Sequence, residues 1–184
     1  MNPDLLTALL SRRSLKPKLL SAPAPDINEL QVCARAALRA PVHGEAFPCR
    51  FVLIPEDKRA RLSELFRSAA AQQGADADKQ ERAASKAFKG PQIVAFVICF
   101  SAHADERETL ISAGAALNQF LLALKAHGYG AITLSGSVLD NAQLQAAFCK
   151  GASEKLAAWI TIGTPAQGVT FEPETRQGPL SLWN

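Results

Sequence analysis

This sequence reads as one α+β domain on three grounds. Helical patterns outnumber strand-like runs and do not alternate with them regularly, as a doubly wound parallel sheet would require. The 184 residues suffice to bury one core and are too few for two domains of ordinary size. One helical pattern, from Glu106 to Gly128, is apolar nearly all round, which places it at the centre of the molecule and against a second subunit.

The elements follow in order. Asn2-Pro3-Asp4 opens a short helix to about Leu10: Asn suits the cap, Pro the first helical position and Asp the positive helix end, with Leu5, Leu6, Leu9 and Leu10 marking one face. Three prolines between Ser14 and Pro25 predict loop. Asp26-Ile27-Asn28-Glu29 is a capping-box pattern ahead of Leu30, Cys33, Ala37 and Leu38, and Pro41 ends that helix. Arg50 to Ile54 is a β-prone run closed by Pro55, and Glu56 to Ala71 is helical, with Leu62, Leu65 and Phe66 on one side and Gly74 as the break. Asp76 to Lys89 carries little large apolar surface, so it is an exposed helix or a mobile cover.

Pro91 to Phe100 is uninterrupted and apolar, as a central strand covered on both faces would be. In the Glu106–Gly128 pattern Leu110, Leu117, Leu121 and Leu124 make one stripe, Ile111, Ala115, Phe120 and Leu122 fall around it, and Gly128 is the stop. Gly130 to Ser135 reads as a strand, Asp140 to Phe148 as a helix and Leu156 to Gly163 as a strand. After Gly163-Thr164-Pro165 comes a tail rich in Pro and Gly, in which Phe171, Leu180 and Trp183 favour docking on a partner over fraying.

With 48% hydrophobic residues, 20% charged and a mean hydropathy of +0.02, the composition excludes a disordered chain. The strongest apolar runs, Ile93–Phe100 and Leu117–Leu124, are far shorter than the ~20 residues of a spanning helix, so no transmembrane segment is expected. Basic residues follow the first apolar stretch, the reverse of a secretory signal, and the cytoplasm is the expected location. Cys33, Cys49, Cys99 and Cys149 are scattered without a C-x-x-C pair, which leaves no zinc knuckle or thioredoxin-type motif; reduced thiols are expected, and only Cys49 lies beside a polar loop suspected of function.

The net charge is +3, and the whole surplus lies in residues 1–20, where Arg12, Arg13, Lys16 and Lys18 face only Asp4. A chain balanced elsewhere lacks the broad basic face of a nucleic-acid binder, and a compact anion such as a phosphate is the better expectation.

The usual catalytic and nucleotide motifs do not hold up. Gly128-Tyr129-Gly130 lacks the third glycine of a dinucleotide fingerprint and runs from helix to strand, the wrong order. There is no G-K-[ST] loop and no G-x-S-x-G elbow. His103-Ala104-Asp105-Glu106 sits where a strand hands over to a helix, and acidic residues favouring a helix start explain it better than a metal does. His127 reads as a helix-end cation or a polar surface residue. No residue is marked out as a nucleophile or essential proton donor. What remains is Arg12-Arg13-Ser14, with Arg35 and Arg39 one turn apart on the second helix and His43 just beyond its proline. Singly, such arginines are ordinary solvated cations; with the localised charge they form an anion cradle, since guanidinium forks and a hydroxyl suit phosphate.

At these residues the sequence resembles the flavin-dependent nitroreductase family, particularly its small, minimal members. The resemblance rests on Leu10-Ser11-Arg12-Arg13-Ser14, on Ala36 to His43, on the central helix running into Gly128-Tyr129-Gly130-Ala131, on Ser135-Gly136, and on Ile160 to Pro165, in family order over nearly the whole chain. It implies a sandwich with a central mixed, mainly antiparallel sheet flanked by helices, in an intertwined homodimer. Residues 1–184 would be a single domain, with 164–184 an extension docked on the partner subunit. It further implies FMN at the subunit interface, NADH or NADPH as reductant, and nitroaromatic, quinone or similar acceptors reduced in a ping-pong cycle. Carried over by residue, Arg12, Arg13 and Ser14 approach the FMN phosphate and ribityl region, Arg39 and His43 bound the same cofactor, and Leu134, Ser135 and Gly136 line the flavin from the other side.

The sequence departs from the family pattern at Phe47-Pro48-Cys49, where many members have a polar residue and Pro-Trp, and at Thr133-Leu134, where minimal members carry Trp-Arg. These departures bear on how FMN is held and which acceptor is used. They also frame a rival expectation, a noncatalytic flavin- or nucleotide-binding dimer on the same scaffold.

Overall fold

Side-chain caps set where most of the helices begin. In the computed structural model, which describes residues 3–42, 47–136 and 138–183, helix α1 spans Pro3–Leu10. Helix α2, Ile27–Ala37, starts at the expected capping box: the Glu29 amide donates to Asp26 Oδ1 and the Asp26 amide to Glu29 Oε2, both at 2.9 Å. Helix α3 spans Arg59–Gln72, and α4, Ala77–Ser85, is capped by Asp76, which accepts the Lys79 amide at 2.9 Å. Helix α5, Glu106–Ala126, is capped by Asp105, which accepts the Arg107 amide at 2.8 Å and so gives the acidic group near His103 a structural role. Helix α6, Ala142–Phe148, takes its cap from Asn141.

Five strands form one sheet: β1 (Leu20–Ser21), β2 (Cys49–Ile54), β3 (Gln92–Cys99), β4 (Gly130–Leu134) and β5 (Glu154–Pro165). The order is β2, β3, β5, with β4 and then β1 sharing the far side of β5. Every pairing among the described residues is antiparallel, so the parallel part of the expected mixed sheet is absent from them. The cause is topological. Strands β3 and β4 run parallel across the α5 crossover, and β5 is laid between them, antiparallel to both.

The two faces carry two cores. On one face α2 and α5 pack Leu30, Cys33, Ala113, Ala116, Phe120 and Leu124 against Val94, Phe96, Ile160 and Ile162. On the other, α3, α4 and α6 pack Leu62, Phe66, Ala83 and Leu144 against Ile93, Ala95, Val97 and Trp159. Residues Ile93 to Ile98 are all buried, as the continuous apolar run requires. Leu156 and Trp159 share a face although they stand three positions apart, an odd spacing that a regular strand puts on opposite faces. The register shift between Phe96 and Val97 leaves Ala157 without a partner, and that extra residue restores the alternation.

Three expectations change. The stretch from Ser14 to Pro25 is not wholly loop: it holds a 3-10 turn at Pro17–Leu19 and strand β1, whose two residues pair with Pro165 and Thr164. A ladder this short is set by tertiary pairing and leaves no local pattern. Of the two alternatives for residues 76–89, the structure has the exposed helix: most of α4 faces outward, and small side chains let it and the turn after it close on α3, burying Ala83, Ala84 and Ala87, with Ser63 Oγ donating to the Ala84 carbonyl at 3.1 Å. Helix α5 is long and apolar enough to cross a membrane by length and composition alone, which the shorter apolar runs did not suggest. One face of it packs on the sheet, while Leu110 and Ile111 on its first turns are exposed.

Candidate functional site

The segment from Arg12 to Pro17 lies against β4 and has a recess at each end. Its middle is fixed by the Leu15 amide, which donates to the Ala131 carbonyl at 3.0 Å, and by the buried Leu15 side chain. The approach needs a residue without a side chain on β4. A Cβ on Gly130 would stand 2.6 Å from Leu15 Cδ1 and 2.9 Å from Leu20 Cδ2.

The recess at the start of β4 is shallow and basic. Arg12 and Arg13 line it with Lys125, which the last turn of α5 supplies, and Phe171 from the tail closes it. Lys125 Nζ lies 4.3 Å from the Phe171 ring centroid and Arg13 Cζ 5.9 Å from it, so the aromatic face meets two cations. Among the described residues, none of these three cations is ion-paired with a carboxylate. Partial burial and the neighbouring Arg12 both lower the Lys125 pKa.

At the other end of β4 is a cavity of about 230 Å³ with mainly apolar walls. Leu134, Ser135 and Gly136 form one side, Phe66, Ile93 and Trp159 the floor, and Pro17 brings the far end of the Arg12–Pro17 segment to its edge. Trp159 stands edge-on to Phe66 and Phe148, with centroids 5.1 and 5.0 Å away. Lys86 and Lys89 supply the positive charge on the lining. Gly90 has φ +84°, and any Cβ there would collide with the wall residue Thr161.

The structure therefore brings Arg12 together with Arg13, and Leu134 with Ser135 and Gly136, at opposite ends of β4. Ser14 is exposed between the two groups and lines neither recess. Arg39 is exposed in the turn after α2 and also lines neither, while Arg35 lines an open groove with Leu38, Phe47 and Cys49. His43 lies outside the described residues. Cys49 is buried, and burial with the nearby Cys99 pushes its thiol up to about 12, so it is a core side chain without thiolate chemistry.

Sequence reasoning missed Lys125, Phe171, Lys86, Lys89 and Trp159 as lining residues. A signal existed for Lys125, the basic residue in the last turn of an otherwise apolar helix end. Phe171, one of the tail residues expected to dock on a partner, meets cations of its own chain.

This fold and its residues have close counterparts. The family model described as "Nitroreductase family" matches residues 9–164. A protein of Escherichia coli strain K12 named "Putative NAD(P)H nitroreductase YdjA" is 32% identical over 164 residues, 88% of each chain. A Haemophilus influenzae protein named as an NAD(P)H nitroreductase in the same terms is 30% identical over 164 residues, again 88% of each. Among solved structures, a nitroreductase-like family protein from Bacillus cereus superposes with a TM-score of 0.77 at 17% identity, covering 95% of this chain and 90% of its own. A nitroreductase with bound FMN from Bacteroides fragilis gives 0.72 at 15% identity, covering both chains completely. At such identities the structural likeness concerns the fold; the family match and the sequence relatives carry the membership. From the end of α1, through Arg12 and Arg13, to Thr164 in β5, this chain belongs to the nitroreductase family.

Proposed function

We propose that this protein is an FMN-dependent oxidoreductase that draws electrons from NADH or NADPH and delivers them to nitroaromatic, quinone or similar small acceptors. The observation that carries this reading is the cavity of about 230 Å³ beyond β4, whose mainly apolar walls, with Lys86 and Lys89 among them, suit a flat, largely apolar ring system with an anionic tail. The Arg12–Pro17 segment reaches the edge of that cavity at Pro17, while Arg12, Arg13 and Lys125, which pair with no carboxylate among the described residues, line a separate shallow recess on the α5 face of the sheet. Relatives named as NAD(P)H nitroreductases and a neighbour with bound FMN support the same choice.

Bound FMN would supply the hydride chemistry, so the protein's part is binding, orientation and electrostatics. Arg12 and Arg13 would hold the phosphate by charged hydrogen bonds, and the Ser14 hydroxyl would approach the ribityl chain. Leu134, Ser135 and Gly136 would wall the ring, and Phe66, Ile93 and Trp159, which line the same cavity, would keep water from the floor beneath it. One cavity of this size favours donor and acceptor entering in turn, the basis for a ping-pong order.

The reading includes a homodimer. Leu5, Leu6, Leu9 and Leu10 of α1, Leu110 and Ile111 of α5, and Leu180, Leu182 and Trp183 of the tail are all exposed, more apolar surface than a lone chain leaves to water without cause. A second copy would cover it, receive the tail beyond Arg176, and supply Arg39, which lines neither recess in its own chain, together with His43. Four free cysteines support a reducing, cytoplasmic setting. The second reading, a noncatalytic flavin- or nucleotide-binding dimer, is favoured by the wholly apolar Leu134 on the cavity wall.

The test is direct. Purified protein should be yellow and sediment at twice 19.6 kDa. Replacing Arg12 and Arg13 together with Ala should lower FMN affinity by roughly one to two decades, the value of a charged hydrogen bond to phosphate. Colourless protein that takes up no added FMN would overturn the proposal.

A further inference from the structure

Arg59, the first residue of α3, is a buried cation that no carboxylate among the described residues pairs with. Its Nη1 donates to the Gly90 carbonyl at 2.8 Å and its Nη2 to the Pro91 carbonyl at 2.6 Å, while Nε has no partner. Taking a guanidinium out of water is expensive, and two neutral carbonyls with one orphaned N–H offset that cost only in part. What the residue returns lies in the segment to which those carbonyls belong.

That segment is the turn between α4 and β3, which forms the basic part of the cavity wall. Lys86 and Lys89 both line the cavity, and the Lys89 amide donates to the Lys86 carbonyl at 3.2 Å, so the two lysines belong to one hydrogen-bonded turn. The turn is pressed on β5 without slack: a Cβ on Gly90 would stand 2.3 Å from Thr161 Cγ2, and a Cβ on Gly163 would stand 2.8 Å from Pro91 Cγ. Strand β5 sets how close the turn can come, and Arg59 ties it to α3. Arg59 itself does not line the cavity.

We propose that Arg59 is a positioning residue for the flavin site, acting through the Lys86–Lys89 turn to hold two positive charges against the cavity and so to favour reduced over oxidised flavin. The inference rests on the FMN reading above and adds to it a residue outside the cavity. Uptake of two electrons and one proton leaves the ring with one negative charge more than before, and fixed cations beside it stabilise that charge. A guanidinium fork suits two adjacent carbonyls, whereas the single ammonium of lysine does not reproduce it.

The midpoint potential of the flavin bound to full-length protein is measured anaerobically against a reference dye for wild type, Arg59→Met, Arg59→Lys, the double variant Lys86→Met with Lys89→Met, and the triple variant that adds Arg59→Met. Arg59→Met is expected to shift the equilibrium roughly tenfold towards oxidised flavin, a potential about 30 mV more negative for this two-electron couple. The double lysine variant should shift at least as far, and the triple variant no further, because Arg59 acts through the lysines. Arg59→Lys keeps the charge and loses the fork, so it should show part of the shift, and it carries the test if Arg59→Met does not fold. A folded Arg59 variant at the wild-type potential overturns the proposal, as does a triple variant that falls by a further tenfold, since Arg59 would then act without the turn. A double lysine variant at the wild-type potential also overturns it and leaves the FMN reading standing. If wild type binds no flavin, the FMN reading itself fails and this inference falls with it.

Discussion

Arg50 of β2 reaches across β3 to Glu154 of β5, with Nη2 2.6 Å from Oε2 and Nε 3.0 Å from Oε1. The same guanidinium donates to the Phe148 carbonyl at the end of α6, and Glu154 also accepts the Lys150 amide at 2.6 Å. These bonds favour the ionised carboxylate, the Arg50 hydrogen bond most of all, and hold the Glu154 pKa at about 2 against an ordinary 4.5. A depressed carboxylate stabilises the fold fully above its unfolded pKa and loses that contribution as pH falls through the folded value. Stability should therefore decline between about pH 4.5 and pH 2 on this account. Glu154→Gln should cost about 1–3 kcal/mol at pH 7 and flatten the acid limb, as followed by urea melts across that range. An acid limb unchanged in the variant would show that other groups cause it.

Gly130 is required by contact with the Arg12–Pro17 segment. Gly130→Ala pushes against Leu15 and Leu20 and should cost about 1–3 kcal/mol, because overpacking forces side chains off their preferred rotamers. Since the displaced segment carries Arg12 and Arg13, flavin retention should fall as well. Thermal melts and the flavin-to-protein absorbance ratio measure the two effects, and a variant as stable and as yellow as wild type would contradict the close packing described.

Phe120 anchors α5 to the sheet. It is fully buried and stacks on Phe51 at 4.1 Å with the rings 15° apart. Phe120→Ala should cost about 3–5 kcal/mol in a denaturant titration. A loss below about 1 kcal/mol would mean that the α5 face of the core is not close-packed.

The thiols should be inert. Burial pushes Cys33 up to about 11 and Cys49 to about 12, leaving very little thiolate near neutrality. Iodoacetamide at pH 8 should leave both unlabelled in the native protein and modify them after unfolding, as read by mass spectrometry. Prompt labelling of Cys49 in the native state would contradict its placement in the core.

Much of the fold was legible because its signals are local. The Asp26–Glu29 capping box, the apolar run of β3 and the Gly128 stop each depend on neighbours in sequence, and each appears where expected. Strand β1 and the register shift at Ala157 were not legible, since both exist only through pairing with distant residues. The packing of α4 was obscured because alanines bury closely while adding little to an apolar pattern. The candidate site divides in the same way. Arg12, Arg13, Ser135 and Gly136 stand out in short motifs, whereas Lys125 joins the arginines only after α5 has folded back beside the segment from Arg12 to Pro17, and Trp159 lines a cavity that three strands and two helices build together.

An anaerobic absorbance titration of the protein as purified, with NADH and separately with NADPH, tests the proposed chemistry most directly. Bleaching of a bound flavin by at least one nucleotide, followed by return of the oxidised spectrum when a quinone or nitroaromatic is added, is the predicted result. A bound flavin that neither nucleotide bleaches would contradict the oxidoreductase assignment and leave a flavin-binding dimer in its place.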